Sequence, residues 1–393
     1  MNLTDVQEQI HADDAHKWDM LLERDQLRFA NGRLRLPRSF GSETEDSIAA
    51  AAMAKGLKLT HWATSQMCQR LGIPAAYFRR CSLPLQDAQV NHWLYQAGDD
   101  DDAPYDLPGN QSSQKWLLRA KGDQVRGILS DRYSRLNNRD VLDSLMPLVA
   151  DAAFEVDWFA VTEESLHLRL FDPRLSREVL PGDRVMAGLH IGNSEVGKRA
   201  ITVDALVYRL VCQNGLVRLV KGKSLLHHRH VGLSVGDLNA GLGNAIRDAL
   251  IQSSGFMERL EQSTREPVSD MEGVIATIAS DSGLSQKTAE MVTAALNAEK
   301  ASQQEMLFGL VNALTHTAQR LSPDERYALE TVAGKILEGG PPKITKALVS
   351  AVVQEKPTAS TAALPSPLPS PLIASSSALP TVTGSLNLSL FGS

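Results

Sequence analysis

Five cations in the middle of this chain flank polar and glycine turns, a setting suited to phosphate chemistry. Lys198 and Arg199 follow the stretch Gly192-Asn193-Ser194-Glu195-Val196-Gly197, and Arg218, Lys221 and Lys223 surround a turn at Gly222. Beside such turns, side chains and backbone N–H groups can face a phosphate together. Between residues 184 and 230, eight Lys and Arg stand against two acids, Glu195 and Asp204, a local charge of +6 in a chain of formal net charge −6. A basic segment inside an acidic protein predicts a polyanion partner. Donors of this kind track a nucleic-acid backbone without reading its sequence. In the run His227-His228-Arg229-His230, His228 and His230 share one face of an extended segment and join the candidate contacts. Arg209 lies inside the apolar run 200–220, so it is expected to pair with Asp204 or Glu195.

Other chemistries find less support. Residues 192–197 lack the GKS/T ending of a P-loop and the GxGxxG of a dinucleotide fold, so a tight turn with a glycine at positive φ is the expectation. The histidine run has no nearby Cys, Asp or Glu to complete a tetrahedral metal site. Asp131 and Asp204 are the carboxylates nearest the informative blocks, but a metal-dependent nuclease needs several that converge. Asp131 is expected to form a salt-bridged turn with Arg132. Residues 60–80 carry a helix, a Gly72 turn and a second short helix with Arg79 and Arg80, the order of a helix-turn-helix. The apolar Ile73, Tyr77 and Phe78 fit equally well a helical pair bracing a sheet.

Three blocks carry a family resemblance. Residues 191–217, from Ile191-Gly192-Asn193-Ser194-Glu195 to Asn214-Gly215-Leu216-Val217, resemble the core signature of a phage/plasmid-like domain family of unknown function, found on prophages, plasmids and integrative elements. Residues 127–136 are similar to its upstream motif and residues 307–315 to its downstream one. Together they span about 57–337. The resemblance implies a protein of a mobile genetic element and leaves the activity open.

The elements that must position these residues read as α+β: an antiparallel β-rich middle with interrupting helices, a helical C-terminal part and a disordered tail. Residues 1–55 form a variable prefix, with a helix over 6–22 and a short strand at 33–37. Residues 56–114 are helical with an acidic loop: Thr60 caps one helix, another covers 85–95, and Asp99 to Asp102 break the pattern. Residues 115–235 hold the basic segment, with hairpins at 116–129 and 154–171 and a strand at 184–191. A helix over 139–149, capped by Asn138, separates the hairpins, and turns fall at Asn214-Gly215 and Gly222. Residues 236–340 are helical, over 238–260, 271–278, 286–297, 304–320 and 322–337. Residues 355–393 form a Pro/Ser/Ala-rich tail with no charge after residue 356. Leu386, Leu388, Leu390 and Phe391 restore apolar alternation there, a docking peptide for a protein partner.

Composition narrows the class. Hydrophobic residues at 43% support a core, and aromatics at 5% argue against a surface of base-stacking platforms. Three unpaired cysteines indicate a reducing compartment. A polar N-terminus carries no signal peptide, and no apolar run reaches about 18 residues. The sequence therefore predicts a cytoplasmic protein that binds nucleic acid, DNA rather than RNA, as a homo-oligomer, without membrane, cofactor or metal. Strands followed by a basic segment loosely resemble single-strand annealing proteins, which implies recombination or maintenance of DNA by binding rather than catalysis. A protein-interaction module in host defence and a metal-dependent nucleic-acid enzyme are the alternatives.

Overall fold

The computed structural model describes residues 2–36, 54–95, 115–149, 154–210, 214–218, 224–232 and 235–342. Two antiparallel units stand side by side, and helices cover the larger one. The smaller sheet has the order β1 (Lys17–Glu23), β5 (Lys115–Lys121), β6 (Gln124–Ser130), β4 (Lys58–Leu59), with β4 alone parallel to its neighbour. A ribbon of β2 (Arg28–Ala30) and β3 (Arg33–Arg35) flanks it. Helix α1 (Leu3–Asp14) is closed by an Asn2 and Asp5 capping box. It ends before Trp18, Leu21 and Leu22, which the sequence reading placed in the same helix. Residues 17–23 instead pair along their whole length with β5, and that ladder overrides the helical spacing.

Helix α2 (His61–Arg70) starts where Thr60 Oγ1 accepts the Ala63 N–H at 3.0 Å and buries Ala63, Met67 and Cys68. α3 (Ala75–Phe78) is a single turn, too short for a recognition helix. Arg79 reaches back to the start of α2, donating to the His61 carbonyl and to Ser65. α4 (Leu83–Tyr95) completes this unit, whose core gathers Leu22, Phe29, Met67, Phe78, Trp116 and Ile128.

The larger sheet is a meander in the order β11 (Asn214–Arg218), β10 (Ile201–Arg209), β9 (Asp183–Asn193), β8 (Leu166–Leu180), β7 (Glu155–Val161). β12 (Leu226–His228) pairs with the N-terminal half of β10, on the edge that β11 takes further along. The expected Asn214-Gly215 turn is instead strand. Arg209 pairs with Asn214, which leaves residues 210–213 to connect the two strands.

β8 alternates strictly: Leu166, Leu168 and Leu170 enter one core, while His167 and Arg169 project to the other face. The apolar face packs on α5 (Asn138–Val149) and on α6 (Val235–Ser263), whose buried Leu238, Leu242, Ala245, Ile246 and Ala249 repeat at helical spacing. α6 spans about 43 Å at 1.5 Å per residue. Its far end, with Phe256, Met257 and Leu260, joins a second core built with α7 (Met271–Ser282), α8 (Gln286–Asn297), α9 (Leu307–Ala318) and α10 (Pro323–Gly339). α10 opens with the expected signal, a Ser322 and Glu325 capping box with Pro at its first turn. The α+β reading with a helical C-terminal part is therefore correct. The tail, the acidic run at 99–102 and Cys212 lie outside the described residues.

Candidate nucleic-acid interface

The polar turn after β9 is interior: Asn193, Ser194, Glu195 and Val196 are all buried. Glu195 is its centre. Its Oε1 accepts Lys17 Nζ at 3.0 Å and the Asn138 N–H at 2.8 Å, and its Oε2 accepts Arg126 at 2.8 Å. Arg119 donates to the Glu195 carbonyl at 2.8 Å, to Asp19 at 3.0 Å and to Asn137. Burial alone would raise the Glu195 carboxyl, but Arg126, Lys17 and the Asn138 N–H outweigh it and hold it below the usual range. The turn thus fastens β1, β5, β6 and the start of α5 to the large sheet. Gly197 takes φ +77°, as a tight turn requires. Trp62 and Gln66 of α2 both donate to the Val196 carbonyl, at 2.9 and 2.8 Å.

A surface ridge rests on this base. Tyr133 forms an isolated antiparallel bridge with Val231, and the Ser134 N–H donates to the His230 carbonyl at 2.9 Å. Tyr133 OH donates to the Ser194 carbonyl at 2.8 Å, and its ring stacks on His230 with centroids 4.9 Å apart. His230 Nε2 lies 3.0 Å from Asn193 Oδ1. Two arginine-bearing segments, 131–136 and 227–231, are so held together. Arg132, Arg135 and Arg229 are exposed, and none has an acidic partner among the described residues.

The candidate contacts divide between this ridge and the interior. Lys198 is exposed, lies 4.4 Å over the Trp62 ring and pairs with Glu164 at 2.9 Å. His228 is half-buried at the end of β12, opposite Ile201. His230 is 4 % exposed, and burial, reinforced by Arg119, lowers its pKa to about 4, so at neutral pH it supports the ridge as an uncharged ring. Arg199 turns inward. Arg218 closes β11 opposite Ala205, and Lys221 and Lys223 lie outside the described residues. Arg209 pairs with neither acid proposed from the sequence. It reaches Asp183 at 2.5 Å and Glu299 at 3.3 Å, because the hairpin turns its side chain toward the helical lobe. Asp131 is exposed and has Arg70 as its charged neighbour, with no ion pair to Arg132.

Arg199 belongs to a polar layer that the sequence reading missed. His167, Arg169, His190 and Asp204, from three adjacent strands, are wholly buried on the second face of the large sheet. His190 Nδ1 lies 3.4 Å from Asp204 Oδ2, His190 Nε2 lies 3.1 Å from His167 Nδ1, and His167 Nε2 lies 3.0 Å from Asp324 Oδ1. Tyr327 donates to Asp204 at 2.9 Å, and Arg199 approaches His167 at 3.1 Å and stacks over Tyr327. Arg169 pairs with Glu330, which also accepts Arg326. Burial lowers both histidines and raises Asp204 to about 6. The available signal was the polar alternation itself, His167 and Arg169, then His190, then Asp204. Nothing local to those strands says that a helix 120 or more residues later covers them. Asp131 and Asp204, the two carboxylates weighed for a nuclease, have no neighbour in common here. Among the described residues, no group of three or more His, Cys, Asp and Glu is placed to hold a metal ion. No described helix is long and apolar enough to cross a membrane.

A separate cleft of about 870 Å³ opens between α1, the β5–β6 turn and the end of β7, with His16, Lys121, Arg126, Phe159 and Glu163 in its walls.

Compared with known proteins, residues 125–339 match the family model described as a domain of unknown function, DUF932. No curated protein matches, and no solved structure matches.

Proposed function

The chain belongs to the DUF932 family, and we propose that it is a phage/plasmid-like member that binds nucleic acid along the ridge of Arg132, Arg135 and Arg229. The observation that carries this reading is the Tyr133–Val231 bridge. It sets two arginine-bearing segments side by side with no carboxylate partner for any of the three side chains among the described residues. Some surface arginines elsewhere, such as Arg177 and Arg259, are paired with glutamates; others, such as Arg184 and Arg265, are exposed singly and are not bridged to a second arginine-bearing segment. Unpaired guanidinium groups on a firm base suit phosphate oxygens, which they meet through a planar fork of donors. Lys198 and His228 lie next to the ridge in sequence or fold, and Lys221 and Lys223 are carried by the connection between β11 and β12.

The surrounding architecture supports a role as a DNA binder of the single-strand annealing kind. The antiparallel meander with the long α6 across one face places strands and helix together as the loose resemblance to such proteins implies, and fold analogy is a lesser argument than the ridge. On this reading the arginines neutralise the backbone of a DNA strand in the cytoplasm, bases stay free to pair, and a homo-oligomer extends the track from copy to copy. The role is recombination or maintenance of a mobile element's DNA.

Fluorescence anisotropy with single- and double-stranded DNA at two salt concentrations tests the proposal. Binding is expected to weaken steeply with salt, with a slope of roughly −0.7 per phosphate neutralised on a single strand. Arg132→Ala, Arg135→Ala and Arg229→Ala together should reduce that slope by about 2. Lys287→Ala with Lys300→Ala, on exposed positions of the helical lobe, should leave it unchanged. Equal losses in both variants, or affinity indifferent to salt, would overturn the reading and favour a protein partner.

A further inference from the structure

Trp62 lies in the first turn of α2 and is half-buried. Its Nε1–H donates to the Val196 carbonyl at 2.9 Å, and Gln66, one turn on, donates to the same oxygen at 2.8 Å. The start of the helix is fixed in turn by Thr60, whose N–H donates to the Val125 carbonyl of β6 at 3.0 Å. The ring is thus held by its edge, and a cation covers its face: Lys198 Nζ stands 4.4 Å from the ring centroid. Trp116 and Trp158 also carry cations over their rings. Trp116 is buried, and the cations on Trp158, Arg169 and Arg326, are themselves buried. Lys198 is exposed, and its ion pair with Glu164 at 2.9 Å lies at the surface.

This ring adjoins the arginine ridge. Tyr133 donates to the Ser194 carbonyl and Trp62 to the Val196 carbonyl, two residues along the same turn, so the two anchor points are at most about 7 Å apart. Gly197 lies close by, where an added Cβ would stand 3.7 Å from both Tyr133 and Gln66. A strand that follows Arg132 past Tyr133 therefore comes within reach of the ring.

A cation over an exposed ring and a surface ion pair are each weak contacts. A nucleic-acid base stacked on an aromatic side chain gains more than either, and every base has a face to offer. In a duplex those faces are covered by neighbouring base pairs, whereas in a single strand they are free. Resting on the reading of the ridge as a nucleic-acid interface, we propose that Trp62 is a stacking platform for one base of a single DNA strand, and that Lys198 is the cover this base displaces. Lys198 Nζ, once displaced, moves to a phosphate beside the stacked base. Stacking uses the face of a base and leaves its pairing edge in solvent, so strands held in this way stay able to pair. One ring of this kind is not the aromatic surface that the composition argues against.

Fluorescence anisotropy with a single strand, its duplex and an abasic strand of the same length tests the proposal. The unaltered protein should bind the base-bearing strand about tenfold or more tighter than the abasic one, whose phosphates are the same. Trp62→Ala should remove that preference and leave duplex binding, abasic binding and the salt slope unchanged. Binding of the base-bearing strand should also quench tryptophan fluorescence. Trp62→Phe, which keeps a ring and loses the hydrogen bond to Val196, should retain most of the preference and lose the quench. Equal affinity for the base-bearing and abasic strands, a quench that survives Trp62→Phe, or a Trp62→Ala variant that weakens all probes alike would overturn the platform and leave the ridge standing. No salt-dependent binding of any probe would overturn both.

Discussion

Asp204 sits at the buried end of a chain of side chains that reaches the half-exposed Asp324 through His190 and His167. Its environment sets two opposing pH dependences. Burial raises Asp204 from 3.8 to about 6, so its contribution to stability is full below 3.8 and is lost as pH rises through 6. Burial lowers His167 and His190 below 6.5, so their contribution is present above 6.5 and is lost as pH falls. Asp204→Asn removes only the first dependence, and the amide oxygen can still accept the Tyr327 hydroxyl. Relative to the unaltered protein, this variant should gain on the order of 3 kcal/mol in urea unfolding between pH 4 and pH 7, at 1.36 kcal/mol per unit. A difference between the two proteins that stays constant with pH would show that Asp204 does not titrate in this range.

At the scale of elements, one contact decides how α10 is held. An added Cβ at Gly334 would fall inside van der Waals distance of the Val217 carbonyl oxygen, so the helix lies directly on β11. Gly334→Ala should therefore cost about 3 kcal/mol or more, against the roughly 1 kcal/mol that alanine adds to an unhindered helix. Gly339→Ala, where an added Cβ meets nothing within 4 Å, should leave stability unchanged or raise it by a few tenths of a kcal/mol. Thermal unfolding of the two variants checks the contrast, and similar midpoints would remove α10 from its close seat on the strand. Elements whose cause is local were legible in the sequence. The Thr60 cap, the Gly122 hairpin turn and the Ser322 capping box each mark a boundary within a few residues. The strand at 17–23 was not, because its spacing also suits a helix and its partner lies about 100 residues away. The candidate site divides the same way. Residues 192–197 were recognised as a tight turn and Lys198 as a surface cation. The burial of Glu195 follows from Lys17, Arg119 and Arg126, three distant cations that no local pattern connects to it.

For the whole molecule, Glu195 joins the two sheets. Lys17 from β1 and Arg126 from β6 meet its carboxylate, and both side chains are almost fully buried. Glu195→Ala leaves two cations without this partner in the interior, a change that costs about 3–5 kcal/mol when one member of a buried pair is lost. The damage should fall first on the seam, so hydrogen exchange in β1 and β5 should accelerate more than in β8 and β9. Uniform acceleration, or a loss below about 1 kcal/mol, would mean that the sheets are held together by apolar contacts alone.

The half of α10 that lies over His167, Arg169, His190 and Asp204 meets the sheet through ions and rings rather than through aliphatic side chains. Most interior surfaces, once uncovered, are sticky and draw molecules into aggregates. This one would be wetted. A fluctuation that lifts the first turns of α10 uncovers groups that water solvates readily, while the apolar far end at Leu329, Ala333 and Leu337 stays anchored. The lobe thus has a built-in direction of opening, from Pro323 toward Gly339, and a way to open that leaves the protein in solution.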